Sequence, residues 1–439
     1  MSNPILTSNQ SSAIVATINE SGGLRMPHVY SEENKLVPPH AMQILPVQAQ
    51  GTVAASRSVT FEIPKVGFLQ GVWLNLTMGV PNGTGAAERA TDAQTDTVAD
   101  AVILDTGDAV GFHANGLYQC IREIRAETSG RTIEALDTAS ILARISDLPY
   151  GKRRACEHAA RMAGDPDSYT AAYNACIWVP FWFNSSSPGG GDPKYSYLTT
   201  FNEPLRITLS FSNCKCLYSS NSSDDFFAHA PTAAELLCRY NILDDKTLDM
   251  VVQENQGSGM MSQLITVMKP ESDYASTSES SGTETTATVD LKENDAVTAI
   301  YLSVERNGAA AASTYAGALK TQANLEIRNV QLKFNNTSVF DVPGTWLQHF
   351  GRISEEGDGT DAAGPSGLRY VYKLDFGLLP GMGLTSNCVA LREISSPQLV
   401  VTYAHNGTST AHTIKVRYAT KSFLTVASNS GRVALSISS

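Results

Sequence analysis

Apolar and polar residues alternate in short runs along the first half of this chain, and polar loops separate the runs. Alternation with a period of two residues is typical of strands that have one buried face. A turn at Ser129-Gly130 precedes a short helix-like stretch at 138–145, for which Asp137 is placed as the N-cap. The predicted strands of this half are 59–63, 71–76, 121–126, 177–183 and 205–211.

The second half repeats the same succession of elements. A turn at Asn335-Asn336 again precedes a helix-like stretch, here at 345–353. The predicted strands are 288–291, 299–304, 325–332, 370–376 and 398–403. The order of strands, turn and helix is therefore predicted to be duplicated.

Eight or so strands per half, long loops and one helix at a fixed place are typical of a jelly roll rather than an immunoglobulin sandwich. We therefore predict an all-β chain of two tandem eight-stranded jelly-roll barrels with short helices in the loops. If the barrels are equivalent, Ile141 and Leu142 occupy in the first the position that Trp346 and Leu347 occupy in the second. Each pair is expected to pack its apolar side onto its own sheet.

The length of 439 residues suits two domains of roughly 200 residues each. Residues 1–50 are polar and rich in proline, so they are predicted to form an N-terminal arm. Such a segment is either a disordered tail or an arm that reaches a neighbour or an underlying surface. We place the first jelly roll at 51–252, a linker at 253–261 and the second jelly roll at 262–439.

The composition, 42% hydrophobic and 17% charged, is that of a globular chain and excludes global disorder. The longest apolar run, 176–183, is far shorter than the roughly 18 to 20 residues that span a bilayer. The N-terminus lacks the pattern of a secretory signal, so folding in a cytoplasm is expected.

The aromatic stretch 178–183 fits a core strand better than a sugar-stacking platform, because apolar residues fall on both faces. Pro180 within it predicts an edge or a bulge.

The residue types that carry catalysis or bind metals do not form recognisable motifs. Phosphate-binding glycine loops and a Gly-x-Ser-x-Gly elbow are absent, and the eight histidines never fall at i, i+2 or i, i+4 spacing. The seven cysteines are scattered, which favours reduced and mostly buried thiols. Neighbouring carboxylates point apart in strands and loops; such pairs occur at 32–33, 224–225, 244–245 and 355–356. We predict no catalytic, cofactor-binding or metal-binding residue, no cofactor and no enzymatic activity.

The net charge of −11 argues against direct nucleic-acid binding, which needs a basic surface to neutralise phosphates. The densest basic cluster is Lys152-Arg153-Arg154. We predict that it lies in a loop, either solvated or in contact with another subunit.

Four stretches of this chain resemble one family of viral proteins. Residues 61–71 look like the first strand pair of that family, with a Val-Gly turn between the strands, and 121–145 look like its strand, turn and helix. The chain as a whole resembles the double-jelly-roll major capsid proteins of tailless icosahedral viruses with an internal membrane, most closely those of tectivirus-like phages. The other similar stretches are 173–183 with 205–213, and 417–439.

Two segments of the second half also look like the members of that family from large eukaryotic DNA viruses. These are 375–380 and 391–394, although Arg392-Glu393-Ile394 departs from the Ser-Arg-Ile-like pattern of those members.

The resemblance implies a major capsid protein that forms pseudo-hexagonal homotrimeric capsomers of an icosahedral virion. The implied partners are other copies of the chain, minor capsid and penton proteins, and an internal viral membrane as a candidate contact of the arm. The implied location is the virion, assembled in the host cytoplasm. One alternative is a secreted tandem β-sandwich carbohydrate-active enzyme or adhesin, which would require convergent carboxylates beside exposed aromatic residues. A vertex or spike protein of the same type of virus is a third hypothesis.

Overall fold

The computed structural model describes most of both predicted barrels. The described residues are 40–78, 82–83, 110–112, 116–148, 150–160, 173–184, 196–197, 203–212, 215–219, 226–228, 231–243, 260–271, 274–275, 284–293, 295–306, 325–347, 371–376, 388–405, 412–427 and 433–437.

Strands dominate the described residues, and the helices are short. The strands in chain order are β1 His40–Gln48, β2 Ser58–Ile63, β3 Phe68–Met78, β4 Asn82–Gly83, β5 Val110–Phe112, β6 Ile121–Thr128, β7 Arg131–Asp137, β8 Tyr173–Trp178, β9 Ser196–Tyr197, β10 Leu205–Phe211, β11 Lys215–Ser219, β12 Phe226–Ala228, β13 Pro231–Leu243, β14 Met260–Pro270, β15 Tyr274–Ala275, β16 Glu284–Asp290, β17 Ala296–Arg306, β18 Leu325–Phe334, β19 Thr337–Pro343, β20 Val371–Asp375, β21 Val389–Ala390, β22 Gln398–His405, β23 His412–Ala427 and β24 Val433–Ile437. The helices are α1 Gly116–Gln119, α2 Thr138–Ser146, α3 Tyr150–Ala160 and α4 Gly344–Trp346, with a 3-10 turn at Leu391–Glu393.

Each half of the chain folds into two antiparallel sheets, and each sheet is built on four main strands in the same order. In the first half the sheets run β1-β13-β3-β8 and β2-β10-β6-β7, and in the second half they run β14-β23-β17-β20 and β16-β22-β18-β19. The short strand β9 pairs with β3, β21 pairs with β17, and both β15 and β24 pair with β23. A small separate sheet, β4-β12-β11-β5, is built from the loops that follow β3 and β10. The predicted fold, two tandem eight-stranded jelly rolls, is confirmed.

The equivalence of the barrels extends to individual residue pairs. In the hairpin β6–β7, Glu123 faces Asp137, and in β18–β19, 206 residues later, Asn329 faces Pro343. A register shift interrupts each hairpin at the same place, after Ala126 in the first and after Leu332 in the second.

Both hairpin turns have two central residues with positive φ, Ser129-Gly130 and Asn335-Asn336. Turns of this type match the right-handed twist of antiparallel strands. The turns at the two predicted positions therefore explain why the register is repeated.

Alternating side chains of these strands form the cores. In β10 every second residue, from Leu205 to Phe211, is buried, and the equivalent strand β22 buries Leu399, Val401 and Tyr403. Burying one such large apolar side chain contributes about 1.5–3 kcal/mol. The cluster of the first barrel also includes residues of the second barrel, such as Val267 and Met268, so the two barrels share buried surface.

The predicted boundaries of the arm and the linker need correction. Residues 40–48, assigned to the arm, form β1 and pair along their length with β13. Leu45 and Val47 of this strand face the core. The alternation is masked in the sequence by Pro46, which is tolerated because within the described residues β1 pairs with β13 alone. The linker also ends early, because β14 begins at Met260.

The predicted strand 177–183 and the predicted basic loop are also different in the structure. The strand ends at Trp178, and the following residues turn away from the sheet around Pro180. Phe181, Trp182 and Phe183 remain buried, so the interpretation of this stretch as core is confirmed. Lys152-Arg153-Arg154 lies in helix α3 rather than in a loop, because the helix begins at Tyr150, and Arg153 is buried.

The two equivalent helices are present, but their predicted alignment is wrong by one residue. Helix α2 and its N-cap Asp137 are confirmed. Counting from the caps Asp137 and Pro343, Ile141 corresponds to Leu347, and both are fully buried. Trp346 corresponds to Ser140 and is 38% exposed, contrary to the expected burial. Residues 348–353 of the predicted second helix lie outside the described residues.

Candidate functional site

The most prominent buried ionic cluster of the described residues lies between the barrels. Strand β7 of the first barrel lies against β14 and β24 of the second, and helix α2 contacts β14, β20 and β23. The first barrel contributes four charged side chains to this surface, Glu134, Asp137, Arg144 and Asp147. We call this surface the barrel junction.

Glu134 is the most deeply buried charge of the barrel junction, with an exposed fraction of 2%. It accepts hydrogen bonds from the backbone N–H groups of Met268 and Trp182, each at 2.8 Å, and its Oε1 lies 2.6 Å from a guanidinium nitrogen of Arg144. Burial raises the pKa of Glu134 above its ordinary value, and Arg144 with the two amides offsets part of that shift. Three donors thus fix this carboxylate between residues of both barrels.

Arg144 connects the same barrels through its guanidinium group. It donates to the carbonyl oxygen of Pro180 in the first barrel and, at 2.9 Å, to that of Thr266 in the second. Removing either Glu134 or Arg144 would leave the other charge buried and unpaired, which typically costs about 3–5 kcal/mol.

Asp137 has two roles in the barrel junction. One carboxylate oxygen caps helix α2 by accepting from the Ser140 N–H at 2.9 Å. The same carboxylate accepts from the guanidinium of Arg417 on β23, with distances of 2.5 to 3.2 Å. Burial alone would raise the pKa of Asp137, but Arg417 and Ser140 outweigh it and lower the pKa to about 2.

Asp147 ends helix α2 and makes the third polar contact across the barrel junction. It accepts from Lys373 on β20 and from the Tyr301 hydroxyl on β17, each at 3.0 Å. Burial alone would lower the pKa of Lys373, but Asp147 and Asp375 raise it above its ordinary value. Burial and the charge of Asp147 also raise the pKa of Tyr301 well above its ordinary value, so its hydroxyl keeps its proton. These contacts fix the orientation of one barrel on the other rather than activating a group for chemistry.

The prediction of no catalytic or metal-binding residue remains a prediction. Within the described residues, His, Cys, Asp and Glu side chains nowhere form a group of three or more that suits a metal ion. In the same residues, no helix is long and apolar enough to cross a membrane. The adjacent acidic pairs all lie outside the described residues. Among the described cysteines, Cys120, Cys156 and Cys238 are buried, and Cys176 and Cys388 are exposed.

Sequence reasoning did not predict the barrel junction, although one signal was present. Glu134 falls on the same face of β7 as Leu136, the face that points inward, and Arg144 interrupts an apolar helix face beside Ile145. Charged residues in buried registers indicate a partner from another element. The identity of that partner was not readable, because Arg417 is 280 residues from Asp137 in the chain.

Comparisons with solved structures identify the architecture. No protein-family model matches the chain, and a search of curated proteins found no match. The capsid of PBCV-1 matches with a TM-score of 0.65 and 13% identity, covering 93% of this chain and 100% of that one. The Faustovirus major capsid protein matches with a TM-score of 0.62 and 10% identity, covering 100% and 99%. The mavirus major capsid protein matches with a TM-score of 0.57 and 11% identity, covering 94% and 95%.

These matches extend over nearly the whole chain, so the likeness concerns both barrels and their arrangement. They do not test the expected placement among tectivirus-like phages. At 10–13% identity a match establishes the fold, and the chain therefore has the double-jelly-roll fold of these viral capsid proteins.

Proposed function

We propose that this chain is the major capsid protein of an icosahedral virus and that three copies form a pseudo-hexagonal capsomer. The observation that carries the proposal is the pairwise equivalence of the two barrels, down to the shifted residue in the hairpins β6–β7 and β18–β19. Three chains with two equivalent barrels each supply six similar units, which suit a tile with six neighbours. The fold shared with the solved capsid proteins supports the same function.

The barrel junction supports a structural role rather than catalysis. The buried carboxyl with a raised pKa, Glu134, is enclosed between the barrels and held by Arg144 and two backbone amides. A general acid or base has to reach its substrate, and this group is occupied and inaccessible. The secreted enzyme or adhesin therefore remains the weaker hypothesis.

Purified full-length protein should have a mass of about three times the 47.0 kDa of the chain in light scattering. Negative-stain images should show particles with a roughly hexagonal outline. A monomer that persists at micromolar concentration, without larger assemblies in the lysate of producing cells, would contradict the proposed function. The further partners, minor capsid and penton proteins and a membrane beneath the arm, are tested by mass spectrometry and lipid analysis of purified particles.

A further inference from the structure

In the barrel junction, the two barrels present different faces to each other. Because the barrels are equivalent, each barrel also has a face that corresponds to the one presented by the other barrel. The junction joins β7 and α2 of the first barrel to β14, β17 and β23 of the second. The same elements recur as β19 and α4 in the second barrel and as β1, β3 and β13 in the first. We call these the second docking face, formed by Val339, Pro343 and Trp346 with the half-buried Phe340 against Trp346, and the second receiving face, formed by Met42, Ile44, Trp73 and Leu237.

Exposed apolar side chains mark both faces. In the part of the chain that the structure describes, four large hydrophobic residues are exposed: Met42, Ile44, Val339 and Trp346. All four lie on the two faces just defined. Their counterparts in the barrel junction are covered, as Met268 is 2% exposed where Ile44 is 53% exposed. Similarly, Ile133 is 4% exposed where Val339 is 53% exposed.

The strand registers identify the counterparts on the receiving side. Arg417 lies opposite Pro270 on one side and Tyr301 on the other. Leu237 lies opposite Pro46 and Trp73, and both sheets have the same register shift two residues further on, between Ala419 and Thr420 in β23 and between Arg239 and Tyr240 in β13. Leu237 therefore occupies the position of Arg417, and Trp73 occupies that of Tyr301.

The side chains of the second docking face and of the second receiving face both differ from their counterparts in the barrel junction, and the differences match. On the docking side, Glu134 and Asp137 correspond to Phe340 and Pro343 in the aligned hairpins. On the receiving side, Arg417 corresponds to Leu237. The Asp137–Arg417 ion pair of the barrel junction is thus replaced by the apolar pair Pro343 and Leu237 on the second faces. Matched replacement on both sides is expected when the two surfaces contact each other, because a charge left on one side alone would be buried unpaired.

The receiving face has a flat centre that suits an aromatic partner. A Cβ added at Gly71 would lie 2.9 Å from the indole ring of Trp73, so this ring lies across the glycine on the outer face of β3. Arg239 pairs with Gly71 and Ile44 and contributes the guanidinium of the face. A guanidinium packs well against aromatic rings, which is why arginine is enriched in protein interfaces.

We propose that the second docking face of one copy binds the second receiving face of another copy, in the geometry of the barrel junction. Such a contact is head-to-tail, and three copies close it into a ring of six barrels. This inference rests on the proposed capsomer and names the residues that hold it together. Pro343 is expected to face Leu237 of the neighbouring copy, as Asp137 faces Arg417 within one chain.

A double-mutant cycle with a charge pair tests this contact in the full chain. Leu237→Arg and Pro343→Asp would each place one unpaired charge in the interface and should raise the dissociation constant of the trimer roughly a hundredfold. The double variant recreates the pair that Arg417 and Asp137 form and should return the constant to within about tenfold of the original. Sedimentation equilibrium over a dilution series measures all four proteins.

Thr288→Asp is the matched control, because Thr288 is exposed on β16 and lies on neither face. If Leu237→Arg lowers the melting temperature of the chain itself, Ile44→Asp tests the same interface by the same dissociation measurement. Ile44 is already 53% exposed in one copy, so its replacement should not disturb folding. Trimers that dissociate like the control in every single variant would overturn this interface while leaving the capsid function intact. A wild-type chain that never associates would instead contradict the proposed function itself.

Discussion

At the scale of single residues, Asp137 links local and tertiary structure. Its carboxylate caps the N-terminus of helix α2 and also binds Arg417 of the other barrel. Helix formation and barrel docking therefore depend on the same side chain. A carboxylate that accepts several charged or backbone donors strongly favours its ionised form. The lowered pKa of Asp137 therefore means that its ionised carboxylate stabilises the folded state, through Arg417 and through Ser140.

Asp137→Asn should lower the free energy of unfolding by about 2 kcal/mol at neutral pH, because asparagine keeps the helix cap but loses the charge. The folded-state pKa is about 2, below the ordinary value of 3.8, so the contribution of Asp137 is complete above pH 4. It is lost as the pH falls towards 2, and the gap between the two proteins should close there. Urea unfolding from pH 2 to 7 measures this gap.

Asp290→Asn is the control for this measurement, because Asp290 is exposed and accepts a hydrogen bond from Gln398 only at the surface. Its effect should be within about 0.5 kcal/mol at every pH. A gap for Asp137→Asn that is the same at pH 2 and pH 7 would show that packing, rather than the charge pair with Arg417, is responsible.

At the scale of elements, the hairpins and their helices show what can be predicted from the sequence and what cannot. Period-two alternation and the turns Ser129-Gly130 and Asn335-Asn336 were sufficient to predict strands such as β6, β10, β18 and β22, because both signals are local properties. The strand β1 was missed because Pro46 interrupts its alternation. The burial of Trp346 was predicted wrongly because helix periodicity does not fix a starting residue without its cap.

The two helices also approach their sheets to different extents. In the first barrel, the Thr138 hydroxyl donates to the carbonyl oxygen of Ile121. In the second, Gly344 occupies the equivalent position, and a Cβ added there would lie 1.5 Å from the carbonyl oxygen of Ile327. Helix α4 therefore lies closer to β18 than a side chain at its first residue allows.

Gly344→Ala should consequently destabilise the protein by about 3 kcal/mol or more, because the obstructing atom belongs to the backbone and cannot rotate away. Gly151→Ala is a matched control in helix α3, where an added Cβ meets nothing within 4 Å. Alanine has the higher helix propensity, so that variant should be neutral or up to about 1 kcal/mol more stable. Equal urea midpoints for both variants would mean that α4 is not held against β18.

At the scale of the whole molecule, the location of the charges follows from what each contact must achieve. The two barrels of one chain are covalently connected, so their junction can use Glu134, Asp137 and Arg144 for orientation without supplying much net binding energy. Separate copies must overcome the entropy lost on association. In the proposed contact between copies, apolar side chains such as Ile44 and Trp346 would supply that free energy more effectively than ion pairs do.

The last prediction concerns residues 1–39, which precede the first strand of the barrel. Deleting 1–39 should leave the melting temperature and the trimer unchanged and should impair assembly of shells, if this segment is an arm that reaches neighbouring capsomers. Deleting 1–48 also removes β1, whose Leu45 and Val47 face the core, so this variant should be destabilised or insoluble. Thermal melting separates the two variants, and electron microscopy measures shell assembly. Loss of folding in the shorter deletion would assign residues 1–39 to the core, because only a segment that packs against the barrel can be needed for its stability.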